Sequence, residues 1–219
     1  SDHLHRNPAD YEAYNLLIRC YYETNRYEPA MELAKMLMET NAALPCFANN
    51  YYISYAMHHQ GKEINPISIL KNYENPFIEY NYSVLKEDKK SHNFKKTPTL
   101  KSKLLFMDFH FNVIKENIIT FIENNNQNIT PTSLNKTIIK FGRESFNQND
   151  IEVSGGSSVS RRHCIIINSK DNIWLYDLES TGTYINDEKV NLKIPLIGFN
   201  KITIDDVDFT ITTDKNKLL

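Results

Sequence analysis

The second half of the chain cannot be laid out as helices of ordinary length. From residue 137 to 212 its apolar residues come in short runs rich in Ile, Val, Phe, Tyr and Thr, and Gly, Asn, Asp or Ser soon breaks each run. β-branched and aromatic residues suit a pleated, half-buried surface, and turn formers at short intervals punctuate strands. The pattern predicts strands at 137–141, 150–153, 163–168, 173–177, 183–185, 189–190, 201–204 and 208–212. Short strands at this spacing describe an all-β sandwich.

The first half follows another period. Tyr14, Leu17, Ile18, Tyr21 and Tyr22 recur at steps of three and four, one face of a helix. Residues 24–27 break the pattern as a turn. Ala30, Leu33, Ala34, Leu37 and Met38 then line a second helix. Residues 8–40 form a helix–turn–helix unit in which small residues meet large ones, and this unit resembles a tetratricopeptide repeat. Residues 44–60 read as the first helix of a second unit, 67–73 as its second helix, and 77–85 as a further helix capping the array.

Residues 86–99 are charged, contain Pro98 and hold almost no apolar side chains, so they read as a linker. Beyond it, Met107, Phe109, Phe111 and Val113 alternate with Asp108, His110 and Asn112. Period two predicts a strand, and 118–122 predicts its hairpin partner; one long helix over 100–123 is the alternative. The fold class is therefore α+β in two domains: a helical repeat domain at 1–85, a linker at 86–99 and a β-sandwich at 100–214.

A net charge of −2 excludes a general binder of nucleic acid or membrane surface, which needs a basic excess. No apolar run approaches the length of a membrane span. Cys20, Cys46 and Cys164 are odd in number and far apart, with neither disulfide nor zinc spacing; they read as free thiols of a reducing, cytoplasmic protein. His58 and His59 are adjacent and point to different helix faces, so they are no metal pair. No nucleophile–base pair, metal cluster or Gly-rich nucleotide loop is present, so the expectation is a protein without catalysis or cofactor. A chain that begins at Ser1 without Met reads as a piece of something longer.

The polar residues between the strands concentrate in three loops: Gly142-Arg143, Ser160-Arg161-Arg162-His163 and Ser180-Thr181-Gly182-Thr183. Arg143 follows a strand end and a glycine, where a planar guanidinium can offer paired donors to a phosphate. Ser160 offers a short hydroxyl donor, and Arg162 is expected to face solvent. Gly142 and Gly182 permit close or unusual backbone near a ligand. A mobile loop, Gly155-Gly156-Ser157-Ser158, precedes Ser160 and could touch a peptide. This is the chemistry of a phosphate receptor on a rigid sheet.

The motifs Phe-Gly-Arg (141–143), Asn-Asp-Ile (149–151), Val-Ser-Arg-Arg-His (159–163) and Asp-Leu-Glu-Ser-Thr-Gly-Thr-Tyr-Ile-Asn (177–186) resemble, in order, the forkhead-associated domain. The resemblance covers residues 100–214, about half the chain. It implies an eleven-stranded sandwich that reads phosphothreonine peptides with the loops at one end, and it supports the hairpin at 104–122. It implies that Arg143 and Ser160 contact phosphate, that Arg161 joins them, and that His163 braces the loops. It places Thr181 where the family usually has an Asn that bonds the peptide backbone, a shorter reach with fewer donors, and it sets Ser180 to touch the phosphate or the threonine.

These readings describe an adaptor that binds a phosphothreonine-containing protein, with a second protein on the helical repeats. Two rivals stand beside it. One is a scaffold that binds without phosphate because of Thr181. The other is self-association through a phosphorylated Thr97 or Thr130.

Overall fold

Asp10 sets where the first helix begins. Its carboxylate accepts the N–H of Ala13 at 2.9 Å, satisfying one of the amides that a helix start leaves open. Helix α1 (Tyr11–Glu23) buries Asn15, Ile18 and Tyr22 along one face. A turn follows in which Asn25 takes φ 60°, and α2 (Tyr27–Glu39) presents Ala30, Ala34 and Leu37 to its neighbours. Helix α3 (Pro45–His58) starts with proline, whose missing N–H costs nothing at that position. It is buried nearly all round and packs against α1, α2 and α4 (Pro76–Lys90). The Asn75 side chain caps α4 by accepting the Phe77 N–H at 2.8 Å.

The computed structural model describes residues 7–40, 44–59, 75–90, 100–112, 118–124, 131–144, 148–169 and 173–213. The helix expected at 67–73 lies outside them, as do residues 91–99 with Thr97, and Thr130. The chain divides into two units, Ser1–Val113 and Ile114–Leu219. Two sequence expectations change here. Helix α4 runs on to Lys90, into the expected linker, as Lys and Glu are good helix formers. Residues 100–112 belong with the helices, not with a β-sandwich beginning at 100.

The reason lies in the hydrogen bonds of that segment. Leu105 and Met107 lie in no strand: their backbone partners are asparagine side chains of the helices. Phe109–Asn112 then closes into a 3-10 turn. The first strand of the expected hairpin therefore does not form. Its second strand does, as β1 (Ile119–Glu123).

The β unit contains, among the described residues, β2 (Thr132–Leu134), β3 (Ile138–Arg143), β4 (Ile151–Val153), β5 (Cys164–Asn168), β6 (Ile173–Asp177), β7 (Thr183–Ile185), β8 (Glu188–Lys189), β9 (Lys193–Pro195), β10 (Phe199–Ile204) and β11 (Val207–Thr212). They build one sheet in the order β2-β1-β11-β10-β7-β8 and another in the order β4-β3-β5-β6-β9. Strands β3 and β4 are parallel; the other pairs are antiparallel. Alternate residues of both sheets meet in one core. Phe121, Phe141 and Phe209 stack edge to face at its centre, and Ile139, Ile166, Leu175, Ile202 and Ile211 surround them. Burying side chains of this size stabilises by roughly 1.5–3 kcal/mol each. None of the described helices is long and apolar enough to cross a membrane.

Strand register gathers the loops at one end. Phe141 pairs with Cys164, which pairs with Asp177, so β3 ends, β5 starts and β6 ends together. In the other sheet Thr183 pairs with Ile204, so β7 starts where β10 ends.

Candidate functional site

The loop end is assembled by hydrogen bonds between segments far apart in sequence. Arg143 closes β3, and its N–H donates to the Ser160 carbonyl at 3.0 Å. Its guanidinium lies on the loop between β4 and β5: Nε donates to the Val159 carbonyl at 2.8 Å and Nη2 to the Ser157 carbonyl at 3.4 Å. Nη1 has no partner among the described residues. Gly142 is required beside it, because a Cβ there would run into the Arg161 carbonyl oxygen.

Asn149 fastens the same corner. Its Nδ2 donates to the Arg161 carbonyl at 2.9 Å and lies 3.4 Å from the Arg143 carbonyl. Arg161 is exposed and Ser160 half-buried. Arg162 does not face solvent as expected. It is buried and donates from Nη2 to Gln148 Oε1 at 3.1 Å.

His163 is fully buried and spans two loops. Nδ1 accepts the Ser160 N–H at 3.2 Å, and Nε2 lies 3.1 Å from the Gly182 carbonyl. Accepting on Nδ1 and donating from Nε2 is the work of a neutral ring. Burial pushes its pKa down; the Gly182 bond and the Asp177 and Asp205 carboxylates oppose the shift in part.

Asp177, at the end of β6, organises the third loop. It accepts the Ser180 N–H at 3.1 Å, the Ser180 hydroxyl at 2.5 Å and the Thr183 hydroxyl at 2.6 Å. The Gly182 N–H in turn donates to Ser180 Oγ at 3.1 Å. In this geometry the Ser180 proton faces Asp177, and the hydroxyl shapes the turn. Gly182 takes φ 145°, which disfavours a side chain. Thr181 is exposed and donates from Oγ1 to the Ser158 carbonyl at 2.7 Å, tying the third loop to the second. Ser158 Oγ lies 2.5 Å from Asp205 Oδ2 in the β10–β11 turn.

The structure thus brings Arg143, Ser160, Arg161, Thr181, Gly142, His163 and Gly182 to one end, with Ser180 just behind them. The sequence reading did not single out Asn149 or Asp177 as supports. An Asp three residues before a Ser-x-Gly turn is the signal that could have found Asp177; Asn149 is legible only once the loops are seen to meet. Among the described residues no group of His, Cys, Asp and Glu could hold a metal ion.

Residues 139–204 match the model of the FHA domain family, and the β unit therefore contains an FHA domain. Solved structures resemble the chain. The FHA domain of the CT664 protein from Chlamydia trachomatis is 19% identical over 43% of this chain and 96% of that one, with a TM-score of 0.39. The N-terminal FHA domain of Rad53p from S. cerevisiae, in complex with a phosphothreonine peptide, is 23% identical over 44% and 94%, with a TM-score of 0.38. Mycobacterium tuberculosis EmbR, in complex with a low-affinity phosphopeptide, is 17% identical over 96% of this chain and 48% of that one, with a TM-score of 0.40. A comparison with curated protein sequences returned no match.

Proposed function

We propose that the β unit reads a phosphothreonine on a partner protein and that the chain acts as an adaptor without catalysis. The observation that carries this is the corner formed by Arg143, Ser160 and Arg161. Their backbones are pinned by Asn149 and His163, while Arg143 Nη1, the Ser160 hydroxyl and the Arg161 side chain have no hydrogen-bond partner among the described residues. Two guanidinium groups and a hydroxyl on a braced backbone suit a dianionic phosphate, because little ordering is left to be done on binding. Arg143 and Ser160 are the primary phosphate contacts in this reading, Arg161 a third. Ser180 acts through the shape of its turn. The threonine preference belongs to the family, where the ligand methyl fills a small gap worth about 1 kcal/mol.

The test is an array of phosphothreonine peptides and their unphosphorylated twins, probed with the whole chain and with Arg143→Ala. Capture of phosphorylated spots by the parent and loss in the variant is expected; equal capture of both peptide forms would sink the reading in favour of a phosphate-independent scaffold. The Thr181 hydroxyl is the one feature that favours that rival, since it is turned onto Ser158. The helical unit binds a second protein in this reading, as paired helices with small inward residues do in repeat arrays. A copy of this chain phosphorylated at Thr97 or Thr130 is one candidate ligand, and intact mass measurement of native protein checks for the mark. Free Cys20, Cys46 and Cys164 suit a reducing cytoplasm.

A further inference from the structure

The least ordinary chemistry outside the phosphate-binding end is a row of buried asparagines in the helical unit. Asn15 on α1, Asn49 and Asn50 on α3, and Asn81 on α4 are all buried, three of them fully. Amides are costly to bury unless their donors and acceptors are met. Here they are met by main chain. Asn81 accepts the Leu105 N–H at 2.7 Å and donates to the Leu105 carbonyl at 2.9 Å. Asn50 does the same to Met107, with both bonds at 2.9 Å. Asn49 adds a donor to the Leu105 carbonyl at 2.9 Å, and Asn15 one to the Met107 carbonyl at 3.2 Å.

In an extended chain the N–H and C=O of alternate residues point to the same side. Clamping residues 105 and 107 therefore reproduces the repeat of a sheet ladder, with side-chain amides from three helices in place of a neighbouring strand. The amides are also joined to one another, Asn50 to Asn15, Asn49 to Asn50 and Asn81 to Asn49, which fixes how each is turned. Contacts of this kind read a backbone and ignore which side chain it carries. Selectivity falls to the flanks. Leu104, Leu105 and Met107 are buried, and the Asp108 carboxylate meets Arg19 Nη1 at 2.7 Å.

We propose that the groove between α1, α3 and α4 is a receptor for an extended peptide, held in cis by residues 104–108, and that a partner protein's extended segment enters it in trans. The segment that fits is an apolar run, like Leu104–Met107, followed by a carboxylate to meet Arg19. The resident segment is the last stretch of its unit, so it can leave without any helix being unthreaded, and partner affinity is lowered by the fraction of time it stays home. This deepens the reading of the helical unit as a protein-binding element and does not involve phosphate capture by the β unit.

The experiment titrates a fluorescein-labelled peptide of residues 101–112 against the whole chain and against Asp108→Lys, which breaks only the half-exposed pair with Arg19. Polarisation should show weak binding to the parent and binding about fivefold tighter to the variant, the effect of one such ion pair on the competing resident. A peptide N-methylated at the positions of Leu105 and Met107 keeps every side chain and loses both clamped N–H groups; it should not bind. That control needs no change to the protein, so folding is not at issue. A parent peptide that binds neither chain, or an N-methylated one that binds equally well, overturns the proposal. The second outcome would leave the helical unit a protein binder by another surface. Light scattering that finds Asp108→Lys paired through exchanged segments would overturn a partner segment as the occupant in favour of a second copy.

Discussion

Acid should loosen the loop end, and His163 should be the cause. The ring is fully buried, with Nδ1 accepting from Ser160 and Nε2 facing the Gly182 carbonyl. Protonation would place a second N–H against the Ser160 N–H and a charge in a buried site. Its folded pKa is held below the ordinary value by burial. The unfolded chain therefore binds a proton, as pH falls below about 6.5, that the folded chain resists. Stability contributed by the neutral ring is present above that pH and lost as pH falls towards the folded pKa. The slope is at most about 1.4 kcal/mol per pH unit for one group, a large fraction of a margin of roughly 5–15 kcal/mol. Trp174, the one tryptophan of the chain, sits on β6, so its fluorescence follows unfolding of the β unit alone. Urea melts at pH 7.5, 6.5 and 5.5 should show the parent losing stability faster with acid than His163→Gln. The difference removes the titration of the other histidines and of the carboxylates. Parallel pH slopes in the two proteins would refute the argument.

Other outcomes follow from the same geometry. Arg143→Ala should weaken phosphopeptide binding by at least about a hundredfold by calorimetry, since a charge-assisted paired contact is lost, while costing only about 1 kcal/mol of stability for its bonds to Val159 and Ser157. Gly142→Ala should cost about 2–4 kcal/mol in the tryptophan-monitored melt, because the Arg161 carbonyl must move. Asp177→Asn turns an acceptor of three bonds into a partial donor; a loss of about 2–3 kcal/mol is expected, together with weaker peptide binding. Thr181→Asn should raise phosphopeptide affinity a few-fold, as a longer amide reaches the peptide backbone and adds donors.

Much of the β unit was legible because its signals are local. Alternation and turn residues gave strands β3 to β8, β10 and β11 to within two residues. Strands β2 and β9 were missed for physical reasons. Thr132–Leu134 is a polar edge strand stabilised by its neighbour, with Thr120 and Ser133 hydroxyls 2.9 Å apart. Lys193–Pro195 ends in a proline that only an edge tolerates. The segment around Met107 shows a subtler limit: alternation over 107–113 reads as a strand, yet Met107 is partnered by asparagine side chains and Phe109–Asn112 closes into a 3-10 turn. In the site, residue type pointed to Arg143, Ser160 and His163. It could not show that the Ser180 hydroxyl is taken by Asp177, or that Arg162 turns inward to Gln148. Those facts depend on contacts between loops, and loop contacts are set by the register of strands far apart in the sequence.

The strand order also fixes when the reader becomes competent. Every residue of the three loops has been specified by Thr183, yet β11 lies between β1 and β10 in its sheet. Without it, β1 and β2 are cut off from β10, β7 and β8, and the turn carrying Asp205 has nothing to close against. Pairings this distant form late, after most chain entropy has been lost. In the proposed reading, phosphate capture therefore waits on Val207–Thr212, and a protease that removes these residues would silence it without touching Arg143, Ser160 or Arg161.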